Sequence, residues 1–207
     1  MKETSKAVIR RLQDARFVNT YFVGDGIDIG CGDDPISKYA NQFPLMTSLK
    51  TWDLPDGDAQ KMASATDNSF DFVHSSHCLE HLYDPYEGFD NWIRICKPGG
   101  HIITTIPDED LYEQGIWPST TNADHKTSWT IIKDKSWSRS SINLLEFLYQ
   151  FKDKIEILKI ELINSAFIYG TRRYDQTCHG ISECAIEFIV RKRTDEEITR
   201  MGRLPKL

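Results

Sequence analysis

Hydrophobic and polar positions alternate along the chain in a way that predicts an α/β fold. Short apolar runs predict strands at residues 26–29, 49–52, 70–74 and 101–106. Segments with apolar residues at helical spacing lie before, between and after them, at residues 1–21, 78–96 and 139–151. Because strands that alternate with helices form parallel sheets, we expect a parallel sheet covered by helices.

The second half of the chain predicts a change of strand direction. Residues 155–163 and 185–190 are β-like runs with no helix between them, so we expect these two strands to be antiparallel. Pro85 is expected to interrupt the first turns of the helix at 78–96. No internal repeat or interdomain linker is visible. The 207 residues, 40% of them hydrophobic, therefore predict a single domain over residues 1–207.

Composition narrows the compartment and the class of partner. No apolar run approaches the roughly 18–20 residues of a membrane span, and the charged N-terminus does not resemble a signal peptide. We therefore expect a cytoplasmic protein. A formal net charge of −6 gives no general attraction to a polyanion, and the basic clusters at 172–173 and 191–193 are short. This favours a small-molecule partner over nucleic acid, while no pattern indicates an oligomeric state.

The cysteines and histidines do not predict a metal site. The cysteines are Cys31, Cys78, Cys96, Cys178 and Cys184, an odd number without a C-x-x-C pair. Residues 77–81, His-Cys-Leu-Glu-His, spell the H-x-x-E-H pattern of inverzincin metalloproteases. That pattern requires a helix and a third ligand downstream, whereas here it lies between a strand end and a helix start. We therefore expect no metal ligands.

The most informative stretch is residues 26–35, Gly-Ile-Asp-Ile-Gly-Cys-Gly-Asp-Asp-Pro. Glycines directly after a strand let the backbone pass close to a ligand at the carboxyl end of a sheet. A dinucleotide site would have a third glycine where this chain has Pro35, and the two aspartates before it do not suit a pyrophosphate. The turn therefore favours a cationic or zwitterionic ligand, although a tight turn without a ligand is the alternative.

This run resembles motif I of the class I S-adenosylmethionine-dependent methyltransferases. Asp53, after the second strand, is similar to the family's acidic residue that accepts the ribose hydroxyls, and residues 58–60 resemble its adenine-lining segment. Residues 68–77 and the Lys-Pro-Gly-Gly turn at 97–100 follow in the family's order. One departure is that only four residues separate Asp53 from Asp58, so we expect the second crossover to be shortened or absent.

The resemblance implies both a fold and a cofactor site. The fold is a Rossmann-like three-layer α/β sandwich with a seven-stranded, mostly parallel sheet whose last strand is antiparallel. The cofactor is S-adenosylmethionine. Its implied contacts are Asp28, Gly30, Cys31, Gly32, Asp53, Leu54, Asp58, Ala59, Gln60, Ser76 and His77.

Residues 107–137 are expected to form an acceptor-binding insertion, since they leave the carboxyl end of a strand and are rich in polar and aromatic residues. Within it, His125 beside Asp124 is the candidate general base, and the alternative is a histidine that only fixes the loop. The candidate acceptor contacts are Tyr112, Trp117, Trp129, Arg172 and Arg173. Packing of the aromatic rings, or a solvated charged loop, is the alternative for these.

Taken together, the sequence predicts an enzyme that transfers a methyl group from S-adenosylmethionine to a small or mid-sized polar acceptor, such as a sugar or a surface-polysaccharide precursor. Such transfer is an in-line displacement in which positioning supplies much of the catalysis. Two alternatives stay open at this point. One is an NAD-dependent Rossmann oxidoreductase, and the other is a non-catalytic module that binds the cofactor or a partner.

Overall fold

A six-stranded sheet forms the centre of the molecule, whose computed structural model describes residues 2–203. The strands are β1 (Gly24–Ile29), β2 (Met46–Trp52), β3 (Phe70–Ser76), β4 (Cys96–Pro107), β5 (Ser128–Thr130), β6 (Ser141–Asn143), β7 (Ile155–Ile163) and β8 (Ala185–Lys192). The main sheet has the order β2-β1-β3-β4-β8-β7, and β5 pairs with β6 separately. Only β8 runs antiparallel to the other strands of the main sheet. The predicted fold class is confirmed, including the antiparallel last strand.

The main sheet has six strands among the described residues, where the resemblance implied seven. An additional parallel strand between β2 and β3 in the chain would need two crossovers, each of a dozen or more residues and usually with a helix. Between β2 and β3 the chain forms only the short 3-10 helix Leu54–Asp56 and a loop. The second crossover is therefore reduced, as expected, and β2 is an edge strand. Its exposed positions carry Thr47, Ser48 and Lys50, polar residues that discourage pairing with another chain.

The α-helices are shorter than the sequence pattern predicted. They are α1 (Glu3–Arg11), α2 (Pro85–Ile95), α3 (Leu144–Tyr149) and α4 (Asp195–Thr199). The helix expected at 1–21 ends at Arg11 and is followed by the π-helical turn Phe17–Tyr21. The helix expected at 139–151 is limited to α3, because residues 141–143 pair with β5 instead. Among residues 2–203, none of the helices is long and apolar enough to cross a membrane.

Helix α2 begins at Pro85 for a local chemical reason. The Asp84 carboxylate accepts hydrogen bonds from the backbone N–H groups of Tyr86 and Glu87, which caps the helix. Proline is tolerated at the first helical position, where its missing N–H has no partner to lose. The residues before it, Leu79–His81, form a separate 3-10 turn. This turn carries Glu80 and His81 to the carboxyl end of β3.

Two apolar clusters lie on opposite faces of the sheet. One packs α2 and α3 against β1 and β8, with Ile27, Phe89 and Phe188 fully buried. The other packs α1 and the turn at 17–21 against the opposite face, through Phe17 and Phe72. This arrangement forms the three layers.

A buried polar network lies beside the second of these clusters, between α1 and the sheet. The Arg11 guanidinium donates hydrogen bonds to Glu187 Oε2 at 2.8 Å, to His74 Nε2 at 3.0 Å and to Thr105 Oγ1 at 3.1 Å. His74 Nδ1 in turn donates to Asp28 Oδ1 at 2.6 Å. All five side chains are buried, so each charge depends on its partners for stabilisation. The network ties α1 to β1, β3, β4 and β8.

Replacement of Glu187 by glutamine tests this network. Burial raises the pKa of Glu187, but Arg11 and Arg10 outweigh it, so its pKa lies well below the ordinary value. We expect Glu187→Gln to lower the free energy of unfolding by about 3 kcal/mol, because it leaves buried arginine charge without its partner. The matched control is Glu161→Gln, a partly exposed carboxylate that pairs with Lys159 and lies 3.9 Å from Arg10, for which we expect a change of about 0.5 kcal/mol or less.

Urea unfolding of the two variants between pH 7 and pH 2 provides the measurement. A lowered folded-state pKa means that stability from the ionised Glu187 is present above the unfolded-state pKa and is lost as the pH falls through the folded-state value. The difference between the parent protein and Glu187→Gln should therefore shrink below about pH 4. Equal effects of the two substitutions would contradict the structural role of the network.

Candidate functional site

The glycine turn after β1 forms one wall of a cleft at the carboxyl edge of the sheet. Gly30 and Gly32 have positive φ angles of 68° and 50°. A Cβ atom on Gly30 would lie 2.5 Å from Cys78 Sγ, so only glycine fits between the turn and the chain that follows β3. The Gly30 N–H donates to the Trp52 carbonyl at 2.8 Å, which joins the ends of β1 and β2.

Asp53 extends from the end of β2 towards the same turn. Its Oδ2 accepts a hydrogen bond from the Gly32 N–H at 2.7 Å, and its Oδ1 accepts one from the Leu54 N–H at 2.8 Å. The Asp56 carboxylate accepts from the Asp53 N–H, which completes a reciprocal cap. These contacts hold the Asp53 carboxylate at the edge of the cleft, where each oxygen keeps further lone pairs for a ligand.

The cleft has a volume of about 600 Å³ and lies where doubly wound sheets bind their ligands. Many of the implied cofactor contacts line it: Gly30, Gly32, Asp53, Leu54, Asp58, Ala59, Gln60 and His77. The other lining residues are Gly57, Cys78, His81, Leu82, Tyr83 and Asp124. Residues far apart in the sequence therefore converge on one cavity of the size expected for a small molecule.

The segment 57–60 is held in place by its neighbours. Trp52 Nε1 donates to the Gly57 carbonyl at 3.0 Å, and Trp92 Nε1 of α2 donates to the Ala59 carbonyl at 2.9 Å. The Asp84 N–H donates to Gln60 Oε1 at 2.9 Å. The shortened crossover thus forms a defined wall, although Leu54 on its rim is 88% exposed.

A smaller cavity of about 200 Å³ adjoins the cleft and shares four of its lining residues: Gly30, Gly32, His77 and His81. Cys31 and Ser76 line this smaller cavity rather than the cleft. Its remaining walls are polar and come from three segments of the chain: Glu3, Thr4, Asp34, Asn122 and His125. Helix α1 and the segment 107–137 therefore meet the glycine turn at this cavity.

Asp28 is the implied cofactor contact that lines neither cavity. It is buried, and its Oδ2 accepts the Ile36 N–H at 2.7 Å while its Oδ1 accepts from His74. The structure therefore corrects the expectation that Asp28 surrounds a ligand directly. Its position behind the glycine turn instead anchors that turn to β3.

His125 is buried and lies at the smaller cavity, but its partner is not the neighbouring Asp124. Its Nδ1 donates to Glu113 Oε1 at 2.7 Å. Asp124 instead accepts a hydrogen bond from His81 Nδ1 at 2.8 Å. The pairing of His125 with Asp124 suggested by the sequence is thus corrected, because Glu113 folds over His125 from the π-helical turn Glu109–Glu113.

Glu80 lies between the histidines of this region, a role that sequence reasoning missed. It is fully buried, and its Oε1 lies 3.5 Å from His77 Nδ1 and 3.8 Å from the Nε2 atoms of both His81 and His125. Burial raises the pKa of Glu80, but the histidines outweigh it and the net pKa is lowered. The H-x-x-E-H pattern was the signal available, yet it does not include His125, which tertiary folding supplies.

The candidate acceptor contacts fall into different environments. The Tyr112 ring is buried, with its centroid 5.3 Å from that of His125. Arg172 and Arg173 are both exposed, and Arg173 donates to the Glu113 carbonyl at 3.0 Å. Trp117 is half-buried and lines neither cavity. Trp129 is fully buried in the core and its Nε1 donates to Thr127, so the structure corrects its interpretation as an acceptor contact.

Comparison with known proteins gives a family and a fold. A family model described as a methyltransferase domain matches residues 6–153. An S-adenosylmethionine-dependent methyltransferase from Archaeoglobus fulgidus is 18% identical, with a TM-score of 0.56, over 93% of this chain and 95% of that chain. Another from Mesorhizobium loti is 15% identical, with a TM-score of 0.54, over 91% and 97%. No curated protein matches the sequence.

Asp108, at the start of the 107–137 segment, is expected to make the stability of the protein depend on pH. Asp108 Oδ1 accepts hydrogen bonds from the Asp110 and Leu111 N–H groups, yet burial dominates and raises the pKa of Asp108 to about 6. A raised folded-state pKa means that stability is lost as the pH rises through that value. The variant Asp108→Asn keeps an oxygen that accepts these hydrogen bonds but carries no charge. We expect its free energy of unfolding, relative to that of the parent protein, to rise by about 2 kcal/mol between pH 4 and pH 7.

Urea unfolding across this pH range and carbon-13 NMR titration of the Asp108 carboxyl provide the measurements. Asp110→Asn is the matched control, since Lys133 outweighs the effect of burial and lowers the pKa of Asp110. It should show no gain between pH 4 and pH 7. An Asp108 titration midpoint near 4 would contradict the effect of burial.

Proposed function

The chain belongs to the methyltransferase-domain family, and from this premise we propose that it methylates a hydroxyl group of a small polar acceptor, such as a sugar or a surface-polysaccharide precursor. Membership of the family makes S-adenosylmethionine the methyl donor. The comparisons favour neither an NAD-dependent oxidoreductase nor a non-catalytic module. The observation that carries the proposal is the convergence of the glycine turn and Asp53 on one cleft that adjoins a smaller polar cavity.

The donor occupies the larger cleft in this proposal. Asp53 accepts the ribose hydroxyls through the lone pairs that Gly32 and Leu54 leave available, and residues 58–60 flank the adenine. The backbone of the glycine turn passes beside the methionine portion. His77, which lines both cavities, then marks the end of the cleft at which the methyl group leaves the donor.

The acceptor occupies the smaller cavity. Its walls offer carboxylate, hydroxyl, amide and imidazole groups, which are hydrogen-bonding partners for a hydroxyl-rich molecule. A small cavity that shares its wall with the donor cleft also favours alignment of the acceptor oxygen with the methyl group, and excludes most water. In this proposal the chain is one domain, and the segment 107–137 forms the acceptor side.

His125 is the candidate residue for activating the acceptor hydroxyl. Because its Nδ1 donates to Glu113, the proton of the neutral ring is placed on Nδ1 and the Nε2 lone pair remains available. A lone pair at this position suits removal of a proton from the acceptor or binding of a cation that activates it. Glu113 acts here as a positioning residue that fixes the ring.

Calorimetric titration with S-adenosylmethionine tests the donor site. We expect micromolar binding that Asp53→Asn weakens about tenfold or more, because a hydrogen bond to a charged group contributes about 1.5–3 kcal/mol. Asp153→Asn, at an exposed aspartate remote from the cleft, is the matched control and should bind as the parent does. Binding of NAD in place of S-adenosylmethionine, or equal binding by both variants, would contradict the site.

Mass spectrometry of acceptor panels tests the acceptor class. With S-adenosylmethionine present, we expect methyl transfer to hydroxyl groups of monosaccharides or sugar nucleotides, and a loss of about 100-fold or more in His125→Ala. His179→Ala, an exposed histidine paired with Tyr174, is the control and should keep its activity. Methylation confined to amines would show that the acceptor class is wrong while leaving the donor site intact.

A further inference from the structure

Two histidines and a glutamate come together at the wall shared by the two cavities. Glu80, His81 and His125 each place one potential metal-ligand atom within 4.8 Å of those of the other two. Glu80 Oε1 lies 3.8 Å from both His81 Nε2 and His125 Nε2. Ligands about 2.1 Å from a tetrahedral metal ion lie about 3.4 Å apart, so both separations from Glu80 are within a few tenths of an ångström of that spacing. The two histidine ligand atoms lie within 4.8 Å of each other, so rotation of the rings towards the ion would complete the site.

The outer nitrogens of both histidines are fixed by carboxylates. His81 Nδ1 donates to Asp124 Oδ2 at 2.8 Å, and His125 Nδ1 donates to Glu113 Oε1 at 2.7 Å. Each of these contacts places the ring proton on Nδ1 and leaves an Nε2 lone pair on the side that faces Glu80. Carboxylates that hold metal-binding histidines in this way raise the basicity of the ligand nitrogen.

Glu80 provides an independent observation that points to a cation. It is fully buried, and neither carboxylate oxygen has a hydrogen-bond partner among residues 2–203. A buried carboxylate without such partners is costly, which makes a nearby positive charge favourable. Both ring nitrogens of His77 likewise have no hydrogen-bond partner among the described residues, and His77 Nδ1 lies 3.5 Å from Glu80 Oε1.

We propose that Glu80, His81 and His125 bind a divalent transition-metal ion, with His77 placed to provide a further ligand. Imidazole nitrogens and a carboxylate suit Zn²⁺, Fe²⁺, Mn²⁺ and related ions. The H-x-x-E-H pattern by itself predicts no metal ligands here, because it does not lie in one helix and the sequence shows no third ligand downstream. In this fold Glu80 is a ligand instead of the general base of that pattern, and His125 is the missing ligand from downstream.

The metal gives the acceptor cavity a function, and in this respect the proposal rests on the proposed function. An acceptor hydroxyl oxygen binds the ion, which lowers the pKa of that hydroxyl, and its proton leaves to water. The oxygen then forms a bond to the methyl carbon as the bond from carbon to the donor sulfur breaks. The products are a methyl ether, S-adenosylhomocysteine and the released proton. His125 accordingly binds the metal ion, and no separate base is required.

The test is titration of chelator-treated protein with Zn²⁺ by calorimetry and with Co²⁺ by visible absorption, without donor or acceptor. We expect one ion per chain, and binding at least about 100-fold weaker in His81→Ala and in His125→Ala. Asp124→Asn changes an exposed carboxylate that touches His81 without removing a ligand, and it should weaken binding about 10- to 100-fold. The control His179→Ala should bind as the parent does.

Circular dichroism of each variant shows whether it folds. If a variant of a buried histidine does not fold, the exposed substitution Asp124→Asn still tests the metal site. Absence of stoichiometric binding, or binding unchanged in Asp124→Asn and both histidine variants, would overturn the metal site. It would mean that an ion pair between His77 and Glu80 is sufficient to stabilise the buried carboxylate.

S-adenosylmethionine binding by the same metal-free protein separates this proposal from the proposed function. Metal binding without donor binding would leave the metal site standing and overturn the donor site. Donor binding with full methyl transfer in the metal-free protein would overturn the catalytic role of the ion. We expect donor binding to persist, and methyl transfer to fall about 100-fold or more and return when the ion is added.

Discussion

A fully buried guanidinium, that of Arg11, joins the first helix to the central sheet, and the position of the site depends on it. Removing a charge from water is favourable only when its partners are complete, and here Glu187, His74 and Thr105 provide them. His74 in turn donates a hydrogen bond to Asp28, and Asp28 supports the turn that begins after β1. The same contact sets α1 in place, so Glu3 and Thr4 reach the smaller cavity.

The reduced second crossover shapes the opposite end of the site. With β2 as an edge strand, no further strand among residues 2–203 covers the outer side of the cleft, and the short segment at 57–60 forms its wall there. Hydrogen bonds from Trp52 and Trp92 to backbone carbonyls stabilise that segment. The exposed side chain of Leu54 shows that this end of the cleft is open to solvent.

The cluster of Glu80, His81 and His125 adds a constraint of another kind, because it combines a buried carboxylate with imidazole rings of fixed orientation. Glu113 and Asp124 come from different parts of the segment 107–137, and each fixes one ring. The segment is itself tied to the 3-10 turn, since the backbone N–H groups of Lys126 and Thr127 donate to the Glu80 carbonyl. The larger cleft, the smaller cavity and the proposed metal site therefore share one set of supports.

The sequence by itself determined the features that depend on local chemistry. The glycine turn after an apolar strand and the acidic residue after the next strand each express a short-range steric or hydrogen-bonding requirement. Pro85 was expected to interrupt a helix over 78–96, and in the structure it is the first residue of α2. The alternation of strands and helices predicted the fold class, and the resemblance of the ordered motifs to the methyltransferase family implied the cofactor. The tertiary structure decided which side chains meet across long separations: His125 pairs with Glu113, and Trp129 enters the core. It also decided that Asp28 lies behind the turn and that residues 141–143 join a strand instead of a helix. These outcomes depend on the packing of distant segments, and no local pattern of residues encodes that packing.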